Sequence, residues 1–123
     1  MLNSAELVAF APTTDFDKAR SFYEGVLGLK FVANDGFALV MEANGVTLRI
    51  AKVGKFTPAQ FTVLGWKVKD IQKTVSAMGK KGVKFERFPG LEQDALGIWT
   101  APGGAKVAWF KDPDGNILSV SQH

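Results

Sequence analysis

The sequence predicts an α+β chain in which one order of elements is written twice: strand, helix, three strands. Three observations carry that prediction. The hydrophobic pattern changes from an alternating period to a helical one and back, over about residues 1–53 and again over about 61–123. Asp15, Lys18 and Ser21 in the first helical stretch match Asp70, Lys73 and Ser76 in the second. After a one-residue deletion, Gly28, Lys30 and Phe31 match Gly82, Lys84 and Phe85. Between the two units "GKFTPAQ", about residues 54–60, breaks the strand pattern with Gly54 and Pro58 and reads as a linker. At 123 residues the whole is one domain made of two modules, an internal duplication.

Taken in order, "AELVAFAPT" alternates and opens as a strand. In "TDFDKARSFYEGVLGLKFV" Ala19, Phe22, Val26 and Leu27 share a helical stripe, Thr14 and Asp17 have capping-box spacing, and Gly28 stands where the helix would end. Three strands follow, "LKFVAND", "GFALVMEA" and "GVTLRIAKV", separated by turn residues. The second unit restarts with the strand "FTVLGWKVK". Its helix, "DIQKTVSAMGKKG", carries Ile71, Val75 and Met78 on one face. "VKFERF", "KVAWFKD" and "NILSVSQH" are its further strands, with a short strand at "LGIWTA" inside a loop-rich stretch.

Composition excludes several classes of function. Hydrophobic residues are 46% and charged residues 22%, ordinary for a globular domain. No apolar run approaches the ~18 residues that span a bilayer, and the first residues lack a secretory pattern, so neither a membrane nor export is expected. There is no cysteine, hence no disulfide and no thiolate nucleophile or ligand; a cytoplasmic protein is expected. The net charge of +3 comes with no nucleic-acid motif, and the lysines read as a solvated surface that favours an anionic small molecule over nucleic acid.

"DFDKARSFYEGVLGLKF" resembles the first helix of the vicinal oxygen chelate superfamily, which includes glyoxalase I, bleomycin-resistance proteins and extradiol dioxygenases. "WFKDPDGNILSV" resembles its final hairpin, and the similarity runs over essentially the whole chain. The resemblance implies two βαβββ modules, each a curled four-stranded mixed sheet with its helix outside, around a central cavity. It also implies a homodimer, with modules paired within or across chains. In metal-dependent members the cavity holds a divalent ion on side chains from the first and last strands of each module. The matching positions here are Val8, Arg49, Val63 and Ser119.

Those residues make a poor metal site. Valine has no donor, arginine stays cationic, and a lone serine hydroxyl is a weak ligand. The only histidine is His123. Asp112–Asn116 lacks calcium-loop spacing and reads as a turn built on Pro113 and Gly115. No metal, cofactor or catalytic residue is therefore assigned. Strand alternation turns Phe10, Arg49, Phe61, Ser119 and Ser121 toward the implied cavity, with Trp99 on a neighbouring loop as a wall. Arg49 suits a carboxylate, a phosphate or an aromatic face, or else an ion pair with Glu6 or Glu42; the aromatics suit a stacked ring, or else core or dimer interface. Ser121 with His123 lacks the orienting acid and oxyanion hole of a hydrolase. The expected function is metal-independent binding of an aromatic or anionic small molecule. The alternatives are a metal-dependent lyase, isomerase or dioxygenase with other ligands, and a scaffold or regulatory domain.

Overall fold

The computed structural model describes residues 1–123 and divides into two compact units, Met1–Thr57 and Pro58–His123. Each contains one open four-stranded mixed sheet with few helices, the α+β class expected.

In the first unit a short 3-10 turn, Leu2–Ser4, precedes β1 (Val8–Thr13). Helix α1 (Phe16–Arg20) runs on as a π-helical segment, Ser21–Val26. Strands β2 (Lys30–Asn34), β3 (Ala38–Ala43) and β4 (Val46–Lys52) complete the unit. The sheet order is β1-β4-β3-β2, with β1 parallel to β4 and the other pairs antiparallel. A parallel pair cannot be closed by a tight turn, so the helix and the β2–β3 hairpin form the crossover. Asn44 (φ 49°) and Gly45 (φ 82°) make the two-residue turn between β3 and β4, where both positions need positive φ.

Two local expectations for this unit are corrected. The α1 cap is Asp15, whose carboxylate accepts from the Lys18 N–H at 3.1 Å, and not the Thr14–Asp17 pair. Asp15 is fixed for that role because its own N–H donates to the Thr13 hydroxyl at 3.2 Å. The buried helical residues are Ala19 and Tyr23, whereas Phe22, Val26 and Leu27 are half-buried. The wide turn rotates the face: Leu27 N–H reaches back five residues to the Phe22 carbonyl at 2.9 Å. Arg20 lies 3.6 Å from the Phe31 ring centroid and Lys52 Nζ 5.3 Å from that of Phe16. Phe31 is the partner of Met41, and Lys52 alternates with Ile50 and Leu48, so the helical segment covers the Met41–Leu48–Ile50 face. Ala11, Leu39, Met41, Leu48 and Ile50 are buried there.

The second unit repeats the plan with β5 (Thr62–Lys67), α2 (Ile71–Lys80), β6 (Trp99–Thr100), β7 (Lys106–Lys111) and β8 (Ile117–Gln122), in the order β5-β8-β7-β6. Asp70 caps α2 through the Lys73 N–H at 3.1 Å, the same device as Asp15 and Lys18. Two of the matched pairs that revealed the duplication are thus its helix caps. Ile71 and Val75 of α2, with Ala108, Phe110, Leu118 and Val120 of β7 and β8, form the core, and Phe110 contacts the rings of Trp66 and Phe85.

"VKFERF" is not a strand. It keeps a single bridge, Phe85 to Phe110, and the fourth strand is Trp99–Thr100 alone. The Gln93 side chain takes the backbone groups that a ladder would have used. Its Nε2 donates to the carbonyls of Glu86 (2.8 Å) and Gly97 (2.9 Å), and its Oε1 accepts from Phe88 N–H at 2.8 Å. The Asp112–Asn116 turn is bonded within itself. Asp112 Oδ1 accepts from the N–H groups of Asp114 (3.0 Å) and Asn116 (2.9 Å), and Asp112 Oδ2 accepts from Asn116 Nδ2 at 2.8 Å. Asp112 and Asn116 are 6% and 2% exposed, so this loop holds the register of β8 from inside the fold. No helix is long and apolar enough to cross a membrane.

Candidate functional site

Each sheet has one face covered by its helix and one that no helix covers. On the open face of the first sheet, Phe10, Arg49 and Val40 stand in one row across β1, β4 and β3. Phe10 is 60% exposed. Arg49 is not paired with Glu6 or Glu42, the expected acids, but with Asp35: Nη2 donates to Oδ2 at 2.7 Å. The other oxygen of Asp35 accepts from the N–H groups of Phe37 (3.0 Å) and Ala38 (2.9 Å). The Arg49 hydrogen bond, then the backbone donors of Ala38 and Phe37, bring the Asp35 carboxyl down to about 2. The register makes this pairing: Ala38 is the partner of Ala51, so the β2–β3 turn lies one row from Arg49.

On the open face of the second sheet, Gly65, Ser119 and Trp109 share a row, and Lys67, Ser121, Val107 and Trp99 share the next. Trp99 and Trp109 have ring centroids 6.0 Å apart, and Phe88 meets Trp109 edge-on at 5.4 Å. Trp109 Nε1 donates to the Thr62 hydroxyl at 3.1 Å, which fixes the indole's rotation. A Cβ on Gly65 would come within 2.8 Å of Ser119 Oγ, so glycine is what lets β5 lie against that serine. Ser119 is 8% exposed beneath this surface. Ser121 Oγ and His123 Nε2 are 3.0 Å apart. A hollow of about 580 Å3 borders Trp99 on its loop side, lined also by Glu92, Asp94 and Ile98.

The structure therefore gathers Trp99, Ser119 and Ser121 on one sheet face, and Phe10 with Arg49 on the other sheet. Phe61 stands apart from the aromatic group, 68% exposed. A bulge between Thr62 and Leu64 interrupts the β5 register just after it, so strict alternation from Phe61 to Gly65 does not hold. The polar and aromatic residues Asp35, Thr62, Phe88 and Trp109 are additional to the sequence reading. Trp109 had a signal, since β7 alternates and Trp109 falls on the side opposite Phe110. Asp35 had none, because nothing local to a turn aspartate names its partner on another strand.

A family model described as the Glyoxalase/Bleomycin resistance protein/Dioxygenase superfamily matches residues 6–120. The chain belongs to this superfamily. It is similar to the uncharacterized protein YraH of Bacillus subtilis (strain 168), 29% identical over 123 residues, covering 86% of this chain and 88% of YraH. Among solved structures, a superfamily member from Sphaerobacter thermophilus DSM 20745 aligns over 100% of both chains with a TM-score of 0.77 at 19% identity. A lactoylglutathione lyase from Agrobacterium tumefaciens covers 97% of this chain and 93% of its own, with a TM-score of 0.74 at 17% identity. At these identities the likeness to the solved superfamily members is one of fold.

The superfamily's metal-ligand positions fit a divalent ion poorly in this chain. Val8 and Val63 have no donor atoms, Arg49 is a cation already bonded to Asp35, and Ser119 offers one hydroxyl. No three His, Asp or Glu side chains are grouped as they would be to hold a metal.

Proposed function

We propose that this superfamily member is a metal-independent small-molecule binding protein of the bleomycin-resistance type, taking an aromatic or anionic ligand on its open sheet faces. The observation that carries this reading is the aromatic group of Trp99, Trp109 and Phe88 on the same sheet face as the small and polar residues Gly65, Ser119 and Ser121 of two adjacent rows. Flat aromatic side chains beside a floor with few bulky groups suit a planar ring, and each well-placed ring contact is worth about 0.5–1.5 kcal/mol beyond its burial. The donor-poor residues at Val8, Arg49, Val63 and Ser119 support independence from metal. Phe37 and Phe61, both large and exposed, support a homodimer that covers some of the apolar surface.

Native mass spectrometry of protein purified without chelator tests the reading. A species that retains an organic adduct and no divalent ion is the expected result. A stoichiometric divalent ion, with lyase or dioxygenase turnover lost on chelation, would replace it with a metal-dependent enzyme.

A further inference from the structure

Arg49 is the cation that an anionic ligand would seek on the first sheet, yet the protein supplies it with an anion of its own. Asp35 is held from three directions. Phe37 and Ala38 donate to one oxygen, and Arg49 donates to the other at 2.7 Å. The two backbone bonds keep the carboxylate in place whether or not Arg49 is there. A free carboxylate or phosphate must therefore compete with a tethered one. A short tether gives an effective concentration of about millimolar or more, and a monodentate fragment binds a single guanidinium no better than that. Nor does the rest of the face add positive charge. Glu42 lies on the same side of β3, and the nearby cation, Lys30, is its cross-strand partner. What stays uncompensated in this row is the exposed ring of Phe10, beside Arg49.

We propose that Asp35 is a specificity determinant: by engaging Arg49 it sets the open face of the first sheet to accept neutral aromatic ligands and withholds from small carboxylates and phosphates the preference that a free guanidinium would give them. This rests on the open-face binding reading above and narrows its ligand class. The guanidinium, paired with Asp35 through Nη2, still offers a planar surface next to Phe10, so a neutral ring has two flat groups to lie against.

The test compares benzamide with benzoate, nearly isosteric rings that differ in charge, on the full-length protein and on Asp35→Asn. Asparagine keeps an oxygen to accept from Phe37 and Ala38, so the turn is retained while the charge on Arg49 is released. Binding is followed through the backbone amide of Phe10 and the side-chain Nε–H of Arg49 in 15N-correlated NMR spectra. The wild-type protein is expected to bind the two probes equally within about twofold. In Asp35→Asn benzoate is expected to tighten by about five- to tenfold, the effect of one partly exposed charge-assisted hydrogen bond, with benzamide unchanged. A wild-type preference for benzoate as large as the variant's, or no gain for benzoate in the variant, overturns the role of Asp35 while leaving the open-face reading standing. Failure of both probes to shift Phe10 or Arg49 in either protein removes this face as a binding surface, and the proposal with it.

Discussion

Asp35 also makes a prediction that needs no ligand. Its carboxyl is held down to about 2 by Arg49 and by the backbone of Ala38 and Phe37, against an ordinary value of 3.8. A depressed carboxyl contributes stability that is fully present above the unfolded value and is lost as pH falls through the folded one. The melting temperature of the wild type is therefore expected to fall more steeply between about pH 4 and pH 2 than that of Asp35→Asn; parallel curves would show that the pair contributes nothing. Gly65 gives a second residue-level test. Gly65→Ala places a methyl group 2.8 Å from Ser119 Oγ and is expected to cost about 1–3 kcal/mol in chemical denaturation. Ser119→Ala removes that oxygen, so the double variant is expected to recover most of the loss; additive costs would mean the clash lies elsewhere. Such effects mark the limit of what single residues disclose in a sequence. Arg49 was recognisable as a cation on the open face. Its partner was not, because Asp35 reaches it through pairing of β3 with β4.

At the scale of elements, local chemistry was legible and competition between distant groups was not. The Asp112–Asn116 turn could be read because the bonds from Asp112 to Asp114 and Asn116 close within five residues. The end of the first helix was legible at Gly28, and both it and its match in the second unit, Gly82, have positive φ in the structure. "VKFERF" misled because strand propensity describes a side chain's fit to a pleated surface, whereas a strand also needs a neighbouring backbone to bond. Gln93 took that place. Gln93→Ala removes three hydrogen bonds to part-buried backbone groups at once, and is expected to destabilise the protein by about 2–4 kcal/mol. Amide exchange should rise over Glu86–Trp99 and stay unchanged in β8. Uniform acceleration would mean that this loop opens only with the whole unit.

At the scale of the whole molecule, the duplication and the superfamily were both readable from Asp15, Lys18, Asp70, Lys73 and the Asp-Pro-Asp-Gly-Asn turn, since caps and turns demand specific residues at fixed offsets. The ligand was not readable, because a binding face is assembled from single positions on several strands. The homodimer is expected to appear in native spectra at twice the 13.3 kDa chain mass, and a monomer at micromolar concentration would remove it. The loop held by Gln93 has a last consequence, for how such a protein changes over generations. Trp99 belongs to a two-residue strand at the end of that loop, while the buried core beneath rests on β7, β8 and α2. A few side chains, Gln93 with Arg87 and Asp94, and a two-residue pairing with β7 aim the tryptophan in place of a long ladder. Insertions or replacements between Glu86 and Ile98 can thus re-aim the aromatic wall without disturbing Phe110, Leu118 or Val120. Recognition and folding are written in separable stretches of the chain, and new ligands are open to descendants that keep the same core.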